Sequence, residues 1–212
     1  MKTSQLIEAL SADAGTRPAR PAPALLAGVA VAIVIAAIGF ALLLGPRANF
    51  LASLAEPRFV MKFVVTSLVA TTAGLAIMVL GRPAASGGVA RAFGGASVAT
   101  LLLAVLTELA MTPSASWGAR LFGQNWLFCM VMVPTISIGP LAILLLMMRR
   151  LAPAVPAGLG FAGGVLAGAI GATFYAAHCP DDSPLFVAVW YVTAIAIVGT
   201  AGAALGSRVL RW

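Results

Sequence analysis

The loop His178-Cys179-Pro180-Asp181-Asp182-Ser183-Pro184 concentrates polar chemistry in an otherwise very apolar chain. It holds one of the two cysteines, the single histidine and two of the six acidic residues. The other cysteine, Cys129, lies in a long apolar run. Two such thiols can form a disulfide, bind a soft metal ion as thiolates, or be modified one at a time. Cys129 and Cys179 are therefore the candidate reactive residues. The alternative is that Cys129 is simply a small apolar packing residue.

The residues beside Cys179 could assist this chemistry. If a metal ion binds both sulfurs, His178 and a carboxylate are natural further ligands, although the spacing matches no zinc motif. Asp181 and Asp182 have a second expected role, because Ser183 and Pro184 are suited to the N-cap and first position of a helix. The two acids are then expected to complement the positive end of that helix.

Two charged residues, Glu108 and Lys62, fall inside apolar runs. Ionisable side chains are costly in hydrocarbon and are functional hypotheses by default. We expect Glu108 to form an ion pair with Arg120, Arg58 or Lys62, or else to approach the thiols. Lys62 lies one turn into its run, where its stem can snorkel to the membrane surface.

The elements that carry these residues are predicted membrane helices. Of the 212 residues 61% are hydrophobic and 9% charged, whereas about 25% charged is usual in a soluble chain. Only helices or closed barrels span lipid, and a helix needs about 20 mostly apolar residues to do so. The predicted fold is therefore an all-α membrane protein, a bundle of six transmembrane helices. The spans are expected at 24–45, 60–80, 89–111, 124–148, 154–177 and 184–206, within a transmembrane domain over 24–207.

Some spans carry further local signals. Pro134 and Pro140 should kink the fourth span. Glycines recur every four residues in the fifth span, at positions 160, 164 and 168, and similarly in the sixth. Such faces let helices approach closely, and we expect ordinary close packing here rather than a movable contact that reports on the thiols.

Residues 1–23 are predicted to form a short helix followed by a stiff tether. Leu6, Ile7 and Leu10 fall on one face at helical spacing. The prolines of 17–23 cannot continue that helix and favour extended backbone. A helix this short is marginal alone in water, so it should fold on a partner or on the lipid surface. A short tail, 208–212, follows the last span.

The formal net charge of +7 is spread over helix ends. This indicates membrane orientation and contact with membrane lipid rather than direct nucleic-acid binding. With both termini in the cytoplasm, nine of the thirteen basic residues lie inside. Cys129, Cys179 and Glu108 then lie on the opposite side, which in a bacterium is the oxidising periplasm. We expect both sulfurs to be open to an impermeant maleimide from that side.

Several motifs occur together along the chain. They are Met1-Lys2-Thr3 with Leu6-Ile7-Glu8-Ala9-Leu10, Glu108-Leu109-Ala110 near a span end, Trp126-x-x-Cys129, Pro134 and Pro140 with Arg149-Arg150, and the stretch from His178 to Tyr191. In this combination the chain resembles the NrsF family, six-span inner-membrane anti-sigma factors of proteobacteria. The resemblance extends over essentially the whole chain.

The resemblance implies a regulator, not an enzyme, that holds an ECF-type sigma factor at the bacterial inner membrane until heavy-metal or oxidative stress. It implies that Cys129 and Cys179 are the sensing thiols. They would also be the ligands of any transient heavy-metal ion, and no cofactor is obligatory. Residues that could assist the thiols are His178, Glu108, Asp181, Asp182 and Trp126. The candidate sigma-factor contacts are Leu6, Ile7 and Leu10, whose apolar face could lie in a groove of the partner.

Two other functions are compatible with a small membrane bundle. A metal or solute transporter would need polar groups at mid-membrane and usually a repeat symmetry, and the sequence shows neither. A thiol oxidoreductase that passes electrons to a quinone usually has a closely spaced reactive pair. Here the cysteines are fifty residues apart, without Cys-x-x-Cys.

Overall fold

The computed structural model describes residues 3, 5, 7, 11, 21–81, 87–149, 151, 153 and 155–211. Six helices in these ranges are long and apolar enough to cross a membrane, and the same ranges contain no strand. They are α1 (Pro21–Leu43), α2 (Pro57–Leu80), α3 (Gly88–Met111), α4 (Trp126–Met148), α5 (Pro156–Ala176) and α6 (Pro184–Val209). The predicted six-span helical bundle is thus confirmed.

The helices begin and end within three residues of the predicted spans. Two helices begin three residues early, α1 at Pro21 rather than at residue 24 and α2 at Pro57 rather than at residue 60. Pro21 and Pro23 were expected in the extended tether. They are helical because the first turn of a helix needs no N–H donor from its residues. Thr3, Gln5, Ile7 and Ser11 are also helical and exposed, whereas Leu6 and Leu10 lie outside the described residues.

The helix α4 continues through both Pro134 and Pro140. Two hydroxyls between and beside the prolines donate to carbonyls one turn earlier on the same helix. Ser137 Oγ donates to Val133 O at 2.7 Å, and Thr135 Oγ1 donates to Val131 O at 2.7 Å. The prolines are accommodated within one helix of 23 residues.

The closest helix pair is α5 with α6, as the recurring glycines predict. A Cβ atom added to Gly160 would overlap the carbonyl of Gly202, and one added to Gly164 would overlap the carbonyl of Val198. The two backbones are therefore in direct contact. This places the 177–183 loop, which joins them, on a closely packed hairpin.

The loops lie at two ends of the bundle. One end, called here the thiol end, carries residues 44–56, 112–125 and 177–183. The other, called the terminal end, carries Gly81 against Leu151, together with the described C-terminal residues. The predicted tail is not free there, because Leu210 is buried in the main hydrophobic core.

Helix α3 is the most weakly buried of the six. All of its residues are described, and of these only Ser97 and Glu108 are buried. It packs mainly against α2. Crevices consequently remain between α3 and the other helices.

Candidate functional site

The two cysteines lie in one buried cluster at the thiol end. Cys129 and Cys179 share it with Tyr175, Phe186 and Tyr191 among others. Both are free thiols, and neither residue has any solvent-exposed surface. The fold thus joins residues that are fifty positions apart in sequence. The expected direct exposure to an impermeant reagent is wrong, because the loop folds inward over the helix ends.

Local helix geometry positions both thiols. Cys129 lies in the first turn of α4, where its N–H donates to Asn125 O at 2.8 Å. Cys179 follows the end of α5, and its N–H donates to Tyr175 O at 2.9 Å. On the other side of the loop, residues Val187–Tyr191 of α6 form a π-helical turn that places Tyr191 in the cluster. Such turns in helices are frequent at functional sites.

Two phenol hydroxyls are buried beside the thiols. Tyr175 Oη and Tyr191 Oη have no nitrogen or oxygen partner within hydrogen-bonding geometry among the described residues. Both lie near the Cys179 sulfur. A buried donor without a good acceptor is costly, by about 1–3 kcal/mol. The cluster therefore holds two hydroxyl donors. If the Cys179 sulfur were oxidised to a sulfenic acid, its oxygen could accept hydrogen bonds from them.

Asp182 fastens the loop to the first two helices. Its Oδ2 accepts from Arg47 Nη1 at 3.0 Å, and its Oδ1 lies 2.6 Å from Lys62 Nζ. Lys62 also donates to the carbonyl of Cys179 at 2.8 Å. Lys62 is completely buried and so does not snorkel to the membrane surface as expected. Its long stem instead carries the ammonium group to the loop above the thiol.

Asp181 fastens the same loop to α4. Its carboxylate accepts from the backbone N–H groups of Gln124 and Asn125, at 3.0 Å in the second case, and from Asn125 Nδ2. These donors precede the first turn of α4, four residues before Cys129. The hydrogen bonds and ion pairs of Asp181 and Asp182 thus go to other elements, and their complement to the positive end of α6 stays a prediction. Ser183 alone caps α6, accepting from Leu185 N–H at 3.3 Å, as predicted.

Gly123 makes the contact with Asp181 possible. Its φ of +58° lies in the region that favours glycine, and an added Cβ would lie 2.7 Å from the Asp181 carboxylate and the Phe186 ring. The chain therefore turns into α4 directly beneath the carboxylate.

His178 holds the loop to the end of α1. Its Nδ1 lies 3.0 Å from Gly45 O, and since a carbonyl only accepts, Nδ1 carries the proton. The ring packs near Phe128 and Tyr175. In this arrangement the residue links the loop to the end of α1.

Glu108 forms the expected ion pairs, with two of the three predicted cations. Its carboxylate lies 2.8 Å from Arg58 Nη2 and 2.7 Å from Arg120 Nη1. Trp126 stacks against Trp190 at 4.9 Å between ring centroids, and Trp190 Nε1 donates to Leu121 O at 2.8 Å. These contacts fix α3, α4 and α6 around the cluster.

A metal ion would have to rely on the two sulfurs. Across the described part of the chain, no three His, Cys, Asp or Glu residues are close enough together to hold an ion. The carboxylates predicted as auxiliary ligands have cations or N–H groups as partners instead. A pair of thiolates fits a soft ion of low coordination number better than a hard ion. Metal binding by Cys129 and Cys179 stays a prediction.

The surroundings of Cys179 favour its protonated form on balance. Burial raises the pKa of the Cys179 thiol, and the Lys62 ammonium group partly opposes this. Cys179 is therefore a neutral thiol at neutral pH in this structure. Any reagent that needs the thiolate must wait for the loop to open.

Sequence reasoning missed Arg47 and underestimated Lys62. Arg47 Nη1 bonds Asp182 and, more weakly, the Cys179 carbonyl at 3.5 Å, while its guanidinium stacks 4.2 Å from the Phe59 ring centre. Lys62 could have been found from one signal, a lone lysine inside an apolar span. No pattern in the sequence identifies Arg47, because its partners are 132 and more residues away.

The six apolar helices and the sealed thiol cluster define a small helical membrane protein with a partly buried polar loop at one end. Residues 10–212 match the NrsF family, described as negative regulator of sigma F. The chain belongs to this family. It is 32% identical to the anti-sigma-F factor NrsF of Caulobacter vibrioides, and 33% identical to the probable anti-sigma-F factor NrsF of Azospira oryzae. Each match covers both chains completely. No solved structure matches the chain.

Proposed function

We propose that this protein is an anti-sigma factor of the bacterial inner membrane that holds an ECF-type sigma factor at the cytoplasmic surface. It releases the sigma factor when heavy metal or oxidant modifies Cys129 and Cys179. Family membership supports the coarser part, since the family and both relatives are negative regulators of a sigma factor. The mode of sensing is our inference, and no catalytic role is proposed.

The observation that carries the proposal is the sealed thiol cluster. One loop covers both sulfurs and is fastened to the ends of α1, α2 and α4 through His178, Asp182 and Asp181. A closely packed core tolerates added volume poorly, at a typical cost of 1–3 kcal/mol. A metal ion, an oxygen atom or a new disulfide in the cluster would therefore strain the loop and its fastenings.

That strain is large enough to regulate a partner. A tenfold change in affinity needs only about 1.4 kcal/mol, provided the modified and unmodified states bind the sigma factor differently. Helices α4, α5 and α6 run from the cluster to the terminal end, where Met148 and Leu210 share one core. A displacement at the thiol end can thus reach the surface on the other side.

Charge supports placing the thiol end outside. The four basic residues at that end are Arg47, Arg58, Lys62 and Arg120. The remaining nine of the thirteen basic residues belong to the termini and the other loops. The positive-inside rule assigns that side to the cytoplasm.

The sidedness can be tested with new cysteines. Ala48→Cys lies exposed at the thiol end and Arg211→Cys lies exposed at the terminal end. In intact cells an impermeant maleimide should label the first and spare the second, while the native thiols stay unlabelled because they are buried. Labelling of Arg211→Cys alone would reverse the orientation and exclude periplasmic sensing.

The decisive experiment measures sigma-dependent transcription under metal or oxidant. Cys129→Ser and Cys179→Ser should each abolish or strongly change induction while the protein still inserts in the membrane. Met130→Leu is the matched control, since it removes a neighbouring sulfur that packs against the same cluster. Normal induction in both cysteine variants would refute thiol sensing without affecting the assignment to the family.

The docking surface requires a separate test. Ile7 is exposed on a helical segment and is a candidate contact together with Leu6 and Leu10. Deleting residues 2–14 should release the sigma factor constitutively, measured by co-purification from membranes. Continued co-purification would move the docking site to the loops of the terminal end.

A further inference from the structure

A crevice follows the poorly buried helix α3 from the thiol end toward the middle of the bundle. Three successive cavities form it, with volumes of about 390, 190 and 300 Å³. Met61 and Thr107 line the first, Val65 and Leu101 the second, and both lower cavities share Val98. The lining positions succeed one another by about one helical turn, so the cavities lie along one path.

The lower part of the crevice is suited to hydrocarbon. The hydroxyls along it belong to Thr66, Thr72 and Ser97, and each donates to a carbonyl of its own helix. They therefore need no water. Tyr191 contributes its ring, while its hydroxyl lies near Cys179. The side chains that line an empty apolar groove lack dispersion contacts on one side. In a bilayer, lipid acyl chains surround the protein and can fill such a groove.

The mouth of the crevice carries both acidic and basic side chains. Glu56, Arg58 and Glu108 line it, and Arg120 lies on the other side of Glu108. The two arginines are 46% and 34% exposed, and each guanidinium retains N–H donors after its bond to Glu108. Glu56 is exposed and forms no ion pair with a described residue. The mouth thus offers both a cation and a free carboxylate at the membrane edge.

This pattern complements a headgroup that carries both charges. A phosphate diester accepts well from a guanidinium, and a primary ammonium donates to a carboxylate. On α3 the crevice runs from Thr107 to Gly94, about 20 Å at 1.5 Å per residue, against about 15 Å for the hydrocarbon of one leaflet. One acyl chain therefore fits along its length.

We propose that the crevice between α2 and α3 is a binding site for an aminophospholipid, with the phosphate on Arg58, the ammonium on Glu56 and one acyl chain along α3. Arg120 adds positive potential at the phosphate. The middle of the acyl chain lies against Val65 and Tyr191, which belong to the wall of the thiol cluster. The site does not depend on the thiols being sensors.

The test uses the full-length protein in detergent and lipids with identical acyl chains. Phosphatidylethanolamine, phosphatidylglycerol and phosphatidylcholine are titrated separately, and the bound lipid is counted by native mass spectrometry. The wild-type protein should hold one phosphatidylethanolamine about tenfold more tightly than either other lipid, since only its headgroup donates N–H groups to a carboxylate. Equal affinity for all three lipids would overturn the proposal.

Variants separate the parts of the site. Glu56→Gln should lower the affinity for phosphatidylethanolamine to that for phosphatidylglycerol, and the exposed Glu56 side chain forms no ion pair with a described residue. Arg58→Gln should lower the affinity for all three lipids. Leu101→Phe should also lower it, because the larger side chain fills the crevice. Arg91→Gln, an exposed arginine at the opposite end of α3, should change nothing.

Two results would count against the site. One is an unchanged preference for phosphatidylethanolamine in Glu56→Gln. The other concerns soluble glycerophosphoethanolamine, which has the headgroup but no acyl chain. It should compete poorly, and competition equal to that of the intact lipid would show that the crevice contributes nothing.

Discussion

Asp182 and Glu108 are two carboxylates that each meet two cations at the same end of the bundle, with opposite patterns of burial. Around Asp182 the cations are buried, Lys62 at 0% and Arg47 at 12% exposure, and the carboxylate is 24% exposed. Around Glu108 the carboxylate is 2% exposed, and the cations are 46% and 34% exposed. The number of charges is the same in both clusters, but the member that water cannot reach differs.

This difference decides what each cluster can do. In the Asp182 cluster, loss of the carboxylate leaves two cations with little water, which is costly. Of the residues that fasten the loop over the thiols, Asp182 is therefore the one whose loss is expected to cost most. In the Glu108 cluster, loss of the carboxylate leaves arginines that water or lipid phosphate can solvate. That cluster is suited to holding α3 in place while remaining open to a ligand.

The largest expected effect is that of Asp182→Asn. Leaving Lys62 and Arg47 without their counter-ion should lower the free energy of unfolding by about 3–5 kcal/mol. Thermal unfolding in detergent measures this, with Arg91→Gln, an exposed position at the other end of the bundle, as the control. Equal melting temperatures in the two variants would mean that the loop does not depend on Asp182.

The pH dependence of Cys179 alkylation should be steep. Burial raises the pKa of this thiol, so the folded protein keeps the proton at pH values where a free cysteine, with a pKa of about 8.5, has lost it. The rate with N-ethylmaleimide in Cys129→Ser should rise about tenfold per pH unit and still be rising above pH 8.5. A rate that levels off at the same pH as an unfolded cysteine peptide would contradict the buried position.

Lys62→Met tests the cation that the Asp182 cluster buries most deeply. Methionine keeps most of the volume but removes the bonds to the Cys179 carbonyl and Asp182, a loss of about 1–3 kcal/mol. Loop opening should increase on the order of tenfold, measured as the alkylation rate of Cys179 at fixed pH. Ser67→Ala, an exposed position on α2, is the control and should leave the rate unchanged.

Lys62 also marks the limit of what the sequence predicts. The six spans follow from run length and composition, because hydrocarbon imposes the same demand on every helix. The Glu108 ion pairs and the Ser183 cap were likewise predictable, because a buried carboxylate needs a cation and the capping residues are adjacent. The direction of the Lys62 side chain was not predictable, since a lysine stem one turn into a span reaches the membrane surface or a protein loop equally well.

The thiol cluster was predictable only in part. Sequence position indicated that both cysteines lie at one end, and the fold confirms this. The burial of both thiols depends on two contacts of the loop, Asp181 with the start of α4 and Asp182 with Lys62 of α2. Neither carboxylate bonds to the helix that follows it in sequence, α6. Local capping rules favour the nearest helix end, whereas here donors that are more than fifty residues away in sequence are better placed.

The smallest expected effect is that of Glu108→Gln, and it completes the comparison. The glutamine keeps the shape and can still accept one hydrogen bond, and Arg58 and Arg120 are exposed enough to be solvated. The free energy of unfolding should fall by about 1 kcal/mol or less, and the alkylation rate of Cys179 should stay within a few-fold of the wild type. The same melting and alkylation assays as for Asp182→Asn measure both quantities. A loss as large as that of Asp182→Asn would show that burial of the carboxylate, rather than burial of its cations, sets the cost of breaking these clusters.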